Sequence, residues 1–169
     1  VQNNLIGKAV LVNPENLLIS AKTPGKFAEL YRTVICTPVI GTFLYNIMVN
    51  KKTIEKDFRL DYYYDQNKIT EKDIMYFYEA SQKHHTKGKY LYANINSGFT
   101  NTNIIHGLRN ITQPIYIFTG KENPENILAA NQYQNYLPDT HIVELEKTKR
   151  FPHMERPEYF IDNLESLYL

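Results

Sequence analysis

The stretch that decides the fold is residues 111–160, which read ITQPIYIFTGKENPENILAANQYQNYLPDTHIVELEKTKRFPHMERPEYF. Its first part, residues 114–119, is an apolar run of β-branched and aromatic side chains that ends at Gly120, as is typical of a buried strand. In residues 124–136 the apolar side chains recur at mostly helical spacing, and Pro138 breaks the pattern. The stretch therefore begins with a strand and a helix.

The same order of elements then repeats. Residues 141–145 favour another strand, and residues 157–167 place their apolar side chains on one helical face. Near the start of the chain, the segment KAVLVNP is a further short apolar strand that ends at Asn-Pro. Alternating strands and helices are typical of a parallel sheet. We predict that the strands near 8–13, 114–119 and 141–145 lie side by side in sequence order, joined by right-handed crossovers.

Two loops carry a resemblance to a known family. Gly120 is followed by two residues and then by Asn123 and Pro124, and the last strand is followed by RFPHMERPEYF. This arrangement resembles the C-terminal half of an α/β-hydrolase. The framework residues that match are Gly120, Pro124, Pro152, His153, Glu155, Pro157, Glu158 and Phe160. The resemblance implies an α/β fold class, namely a partial α/β-hydrolase fold with three parallel strands, flanking helices and a helical cap insertion.

The resemblance also assigns two catalytic positions. The loop after the first of the two later strands carries the catalytic aspartate of the family, and here that position is Asn123. The loop after the second carries the catalytic histidine, and here that position is Arg150. Asparagine has no charge with which to stabilise an imidazolium. A guanidinium stays protonated and cannot act as a general base near neutral pH. We therefore expect this chain alone to be inactive as an ester hydrolase.

Three residues are candidates to replace the missing groups. Glu122 is adjacent to the acid position, and Glu15 follows the first strand, where some relatives carry their acid. His153 is a possible base if its loop is rearranged, although the family often has a non-catalytic histidine there. Arg150 itself also fits a solvent-facing charge in the basic cluster 147–150.

No nucleophile of the family's type occurs in the sequence. The family places a serine in Gly-x-Ser-x-Gly between a strand and a helix. Ser97 lacks the first glycine and follows no strand, and Cys36 fits a small buried apolar residue better than a nucleophile. The KAVLVNP strand resembles the strand that follows the nucleophile helix. We therefore expect the nucleophile to precede Val1 in a longer natural protein.

Residues 23–108 have helical periodicity, and the resemblance implies that they are a cap or lid over a core of residues 1–22 and 109–169. The segment TPVIGTFLYNIMVNKKTIEKDF, residues 37–58, is similar to cap helices of the bacterial and chloroplast carboxylester-hydrolase-like branch. Helices are predicted to start at Thr23-Pro24 and Thr37-Pro38 and to cover residues 51–63, 70–84 and 88–99. Apolar stripes are predicted at Phe27, Leu30, Tyr31, Val34 and Ile35, and at Val39, Ile40, Phe43, Leu44, Ile47 and Met48. These side chains either shape an apolar substrate site or form the core of the cap.

The composition limits the classes of partner. A net charge of +1 gives no reason to expect binding to nucleic acid, and no run approaches the roughly 20 apolar residues of a membrane span. The single cysteine, Cys36, cannot form an internal disulfide, which favours a reducing compartment, and the cytoplasm is the default. His84 and His85 are helix neighbours that point about 100° apart, so we expect no metal site and no cofactor.

Two functions remain open. The first is hydrolysis of an ester or a related small molecule, with the nucleophile outside this chain and the usual acid and histidine positions replaced. The second is a catalytically degenerate hydrolase fold that binds a small apolar ligand or a protein. The outer edge of the first strand would be uncovered in this chain, so we also expect it to pair with the N-terminal half of the same fold or to self-associate. A Gly-x-Ser-x-Gly before Val1 would favour the enzyme.

Overall fold

The computed structural model describes residues 7–83 and 87–167, and at its centre is a three-stranded sheet. The strands are β1 (Ala9–Val12), β2 (Ile115–Gly120) and β3 (Thr140–Leu145), in the spatial order β1-β2-β3. Both pairs are parallel, with Ala9 opposite Ile115 and Ile115 opposite Thr140. The predicted order and direction of the strands are therefore confirmed.

Helices account for most of the remaining described chain. Their bounds are α1 Leu17–Ser20, α2 Lys26–Cys36, α3 Ile40–Met48, α4 Lys51–Asp57, α5 Glu71–Gln82, α6 Gly88–Asn96, α7 Ile105–Leu108, α8 Pro124–Gln134, α9 Pro152–Glu155 and α10 Pro157–Glu165. A π-helical turn, Phe58–Tyr62, continues α4, and a short 3-10 helix covers Gln66–Lys68. The helix predicted to end at His84 is α5, and His84 and His85 lie outside the described residues. The short helix α1 was not predicted.

Local capping explains where several helices begin. The Thr70 side chain accepts a hydrogen bond from the Asp73 N–H, and the Asp73 carboxylate accepts one from the Thr70 N–H, which forms a capping box at the start of the helix predicted from residue 70. The Thr-Pro signals were misplaced: α2 begins at Lys26 after Gly25, and Thr37 is the C-cap of that helix. A Thr-Pro pair fits the end of one helix and the approach to the next equally well.

The central strand separates two layers of apolar contacts. β2 is buried over nearly its whole length, because it has a strand on each side and helices on both faces. On one face, Ile117 packs in a cluster with Leu17, Ala130 and Tyr133. On the other face, the ring of Phe118 meets the ring of Phe160 edge-on at a centroid distance of 5.3 Å.

A second apolar cluster lies among the helices between β1 and β2. Phe58 is fully buried at its centre and makes edge-to-face contacts with Tyr63 at 5.3 Å and Phe77 at 5.0 Å. Phe151 and Met154, from the segment after β3, pack against the same cluster. Removing a buried ring of this kind costs about 3–5 kcal/mol. The cluster therefore joins the helices to the segment that follows the sheet.

The predicted apolar stripes of α2 and α3 are only partly buried. Ile35 and Tyr45 are 2% exposed, but Phe27 is 89% and Val39 is 80% exposed. Helices α2, α3 and α6 pack on one another through a narrow strip of side chains. The exposed side chains of the two stripes are Phe27, Leu30, Val39, Ile40, Phe43 and Ile47. Each apolar stripe is therefore wider than the surface that these helices bury against one another.

A buried lysine fastens α6 to the junction of α2 and α3. Lys89 is 3% exposed, and its ammonium donates to the Thr37 carbonyl at 2.7 Å and to the Thr42 hydroxyl at 2.9 Å. The Pro38 carbonyl lies at 3.4 Å from the same nitrogen. The last carbonyls of a helix lack partners within the helix, and a cation at this end satisfies them and complements the helix dipole.

No helix among residues 7–83 and 87–167 has the length and apolar character needed to cross a membrane. The structure adds nothing further about location.

We predict that Lys89→Met lowers the free energy of unfolding by about 1–3 kcal/mol, because the carbonyls of Thr37 and Pro38 and the Thr42 hydroxyl lose a charged donor. Urea unfolding followed by circular dichroism measures the change. The matched control is Lys87→Met, since Lys87 is exposed. Equal unfolding midpoints for the two variants would show that the buried ammonium contributes nothing to stability.

Candidate functional site

The carboxyl ends of the three strands are held together by one side chain. Asn13 follows β1 with a positive φ of 43°, a conformation that asparagine tolerates better than most residues. Its amide nitrogen donates to the Lys149 carbonyl at 3.2 Å and to the Arg150 carbonyl at 2.7 Å. Its amide oxygen accepts from the Gly120 N–H at 3.1 Å. Asn13 therefore ties the end of β1 to the end of β2 and to the loop after β3.

Gly120 allows the loop after β3 to cross the end of β2. A Cβ atom at this position would lie 1.9 Å from the Lys149 carbonyl oxygen and 2.7 Å from that of Thr148. Both atoms belong to the backbone, so they cannot rotate away as a flexible side chain could. The Glu122 N–H donates to the Thr148 carbonyl at 3.1 Å and holds the two loops at this separation. The glycine that ends the predicted strand is thus required by close packing.

Asn123, at the position where the resemblance places the acid, is the N-cap of α8. Its side-chain oxygen accepts hydrogen bonds from the N–H groups of Glu125 at 3.1 Å and Asn126 at 3.4 Å. Pro124 occupies the first helical position, where its missing N–H costs nothing. The oxygen of Asn123 is therefore already used to start a helix, and asparagine and aspartate do this about equally well.

Arg150, at the position where the resemblance places the histidine, lines a cavity of about 260 Å³. The cavity also contains Asn13, Glu15 and Asn126, and lies where the loops after β1 and β3 meet the first turn of α8. Glu15 and Arg150 are both exposed, and neither forms an ion pair with another described residue. The structure thus brings Glu15 and Arg150 to one cavity.

The other two sequence candidates are not in the lining of this cavity. Glu122 is exposed, and its carboxylate accepts from the Lys147 N–H at 3.4 Å. The ring of His153 lies 6.0 Å from those of Phe151 and Phe160, edge-on to both. Partial burial of the ring lowers the pKa of His153 below its ordinary value, which favours the neutral imidazole. Its ring nitrogens have no hydrogen-bond partner among the described residues.

The loop after β3 is attached to the helices between β1 and β2 through Tyr62 and Glu155. The N–H groups of Arg150 and Phe151 both donate to the Tyr62 carbonyl, at 3.1 and 3.3 Å. The Glu155 side chain is 2% exposed, and its two oxygens accept from the Asp65 N–H at 2.7 Å and the Lys149 N–H at 3.2 Å. These contacts fix the position of the loop that carries Arg150.

Sequence reasoning missed the roles of two asparagines at this cavity. Asn13 was interpreted only as the end of a strand, although an Asn-Pro pair at the carboxyl end of a parallel strand was a usable signal. Asn126 was not singled out, and its side-chain nitrogen is buried without a hydrogen-bond partner among the described residues. An unpaired buried amide costs about 1–3 kcal/mol. An acceptor atom on a bound small molecule would remove that cost.

The remaining candidates lie elsewhere. Ser97 is buried at the end of α6 and its hydroxyl donates to the Ala93 carbonyl, and Cys36 is a half-buried free thiol at the end of α2. Among the described residues, no group of three or more His, Cys, Asp or Glu side chains is arranged to hold a metal ion. His84 and His85 fall outside that set.

The parallel sheet, with its loops and helices, has the arrangement of the α/β-hydrolase fold, and solved structures with this fold match the chain. An epoxide hydrolase superposes with a TM-score of 0.68 at 16% identity, over 96% of this chain and 59% of its own. A probable hydrolytic enzyme from Pseudomonas aeruginosa superposes with a TM-score of 0.69 at 13% identity, and the match covers 96% of this chain and 55% of that one. A bromoperoxidase from Bacillus anthracis superposes with a TM-score of 0.64 at 12% identity, and the match covers 96% of this chain and 58% of that one.

These similarities define the fold. The chain has a partial α/β-hydrolase fold and spans between 55 and 59% of the length of these three structures. The sequence matches no protein-family model and no curated protein. The resemblance inferred from the two loops is confirmed at the level of the fold.

We predict that Asn13→Asp lowers the free energy of unfolding by about 1–3 kcal/mol, because a carboxylate cannot donate to the carbonyls of Lys149 and Arg150. Urea unfolding at pH 7 measures the effect. Asn131→Asp on the exposed side of α8 introduces the same charge and serves as the control. If both variants unfold at the same urea concentration, the link between the strand ends is not stabilising.

Proposed function

We propose that this chain is the C-terminal part of an α/β-hydrolase-fold protein that hydrolyses an ester or a related small molecule, with its nucleophile outside the chain. One observation carries the proposal. The loops at the carboxyl ends of the strands and the start of α8 form a cavity lined by Arg150, Glu15 and Asn126. Open α/β sheets bind their ligands at this edge. The hydrolases among the structures of similar fold support the same class of reaction.

Residues 23–108 would act as the cap of this protein. They lie between β1 and β2, and part of this segment contacts the loop after β3. The Lys149 ammonium donates to the Leu60 carbonyl at 2.7 Å, and the Lys68 ammonium donates to the Glu155 carbonyl at 2.9 Å. These contacts support a segment that covers the carboxyl edge of the sheet and thereby excludes water from a bound substrate.

The chemistry of the site would be slow. Hydrolysis by a hydroxyl nucleophile needs a neutral base within about 2.6–3.2 Å of that hydroxyl, and Arg150 fails this requirement at any geometry because it stays protonated. Loss of the charge that orients the base, as at Asn123, costs about four orders of magnitude in serine proteases. Of the candidate substitutes, Glu15 has the strongest support, because it lies at the same cavity as Arg150. Glu122 and His153 would require the loops to rearrange.

A binding protein is the second candidate, and the permanently charged Arg150 at the cavity specifically favours it. The exposed guanidinium of Arg150 would hold a ligand that offers acceptor oxygens. It does not need to change its protonation state to do so. In this alternative the protein binds an ester or carboxylate without converting it.

The exposed apolar stripes support the proposal that another part of the same fold binds to this chain. Within the described chain, β1 pairs only with β2, and its other edge is unpaired. Phe27 on α2 and Val39 at the start of α3 are largely exposed. About two fifths of each matched structure lies outside the part that this chain covers. We propose that the N-terminal half of the fold, or a second copy of the chain, covers these surfaces.

We predict that the intact protein hydrolyses a chromogenic short-chain ester only at the low rate that binding and an oxyanion site allow. Arg150→His combined with Asn123→Asp should raise this rate at least about 100-fold, because it supplies a neutral base and its carboxylate. Both changes suit the structure, because aspartate also caps α8 and Arg150 is exposed. Initial rates at pH 7 to 8 measure the change.

The control combines Arg109→His with Asn131→Asp, which changes the same residue types at exposed positions. His153→Ala tests the remaining histidine. Fast turnover by the unmodified protein that persists in His153→Ala would contradict the proposed slow chemistry and reveal a different base. Saturable binding of the ester with no turnover in any variant would contradict hydrolysis and support the binding function.

A further inference from the structure

A second cavity, of about 250 Å³, lies among the helices between β1 and β2. It shares no lining residue with the cavity at the strand ends. Met48 and Ile54 supply aliphatic walls, Tyr62, Phe77 and Tyr92 supply aromatic ones, and Asp57 supplies a carboxylate. An apolar cavity with a single ionisable acid at its wall is selective for molecules that combine an apolar body with one opposite charge.

The carboxylate of Asp57 has no partner of its own. It forms no ion pair and accepts no hydrogen bond from any described residue, although it is half-buried. Burial raises the pKa of Asp57, the negative charge of Asp61 raises it further, and Lys56 opposes the shift. A partly desolvated carboxylate that forms no ion pair is costly, and a cation bound against it would relieve that cost.

The aromatic walls favour the same kind of ligand. The rings of Tyr62 and Phe77 lie 6.4 Å apart, tilted by 39°. Asp57 and Tyr62 line the same cavity, and burial together with the negative charge of Asp57 raises the pKa of Tyr62. Aromatic faces attract cations, most strongly where water is excluded. Asp57 and the rings therefore act on one region of the cavity.

We propose that this cavity binds a small monoamine in its protonated form, with the ammonium at Asp57 and the apolar body between Met48, Ile54 and the aromatic walls. The volume limits the ligand to about one ring and a short chain, since pockets for larger ligands start at roughly 300 Å³. The site is independent of the proposed hydrolysis. Tyr62 lines this cavity, and its carbonyl also accepts hydrogen bonds from the N–H groups of Arg150 and Phe151 in the loop after β3.

The test compares 2-phenylethylammonium with 2-phenylethanol, a neutral molecule of nearly the same shape, as ligands of the intact protein. Titration calorimetry at pH 7.5 and low salt measures both dissociation constants. We expect the ammonium to bind at least about tenfold more tightly than the alcohol, the difference being the contribution of the carboxylate and the rings. Asp57→Asn should abolish this preference while changing the affinity for the alcohol little.

Asp61→Asn is the matched control. Asp61 is exposed, and its replacement removes the same negative charge at a position four residues from Asp57. It should retain most of the preference for the ammonium. The comparison of the two ligands on the unmodified protein is informative even if Asp57→Asn does not fold. Equal affinity for ammonium and alcohol, no binding of either, or a preference that survives Asp57→Asn would overturn the proposal.

Discussion

The parallel strands end in loops whose backbone polar groups must be paired by other parts of the structure. The loops that leave their carboxyl ends have backbone N–H and carbonyl groups with no continuing ladder, and buried groups of this kind must be paired. Asn13 pairs three of them from one side chain. Glu155 pairs two more, one of them in the helical segment before β2. The shape of the candidate site follows from these two polar side chains more than from apolar packing.

Asn123, where the resemblance places the catalytic acid, has a structural role that does not need a negative charge. Asn123 starts α8 by capping its first turn, and aspartate would do the same. The exchange therefore leaves the fold intact while removing the charge that would orient a base. Arg150 is equally separable from the fold, because the contacts that hold its loop use its backbone N–H and carbonyl. Fold and chemistry are thus set by different atoms of the same residues.

The parts of the fold that were predictable from sequence are those set by neighbouring residues. The run 114–119, with Gly120 after it, indicates a buried strand, and Thr70 with Asp73 indicates a helix start. Contacts between distant residues were not predictable: Asn13 and Arg150 are separated by 137 positions, and Asp65 and Glu155 by 90. The apolar stripe that contains Phe27 correctly predicted a helix but not burial, since nothing in the described chain covers Phe27. For the candidate site, the pattern predicted that Asn123 follows the second strand and Arg150 the third, but it could not show that Glu15 shares a cavity with Arg150.

The attachment of the helical segment at residues 60–68 has a mechanical consequence. Residues 60–68 form several hydrogen bonds with the segment 149–155, through Leu60, Tyr62, Asp65 and Lys68. At the other end of the helical segment, the Asn101 amide donates to the carbonyls of Ile19 and Lys22. Rotation of the helices away from the sheet would break fewest of these hydrogen bonds if residues 60–68 served as the pivot. Such a rotation would leave Arg150 in place, because the Tyr62 carbonyl holds its loop.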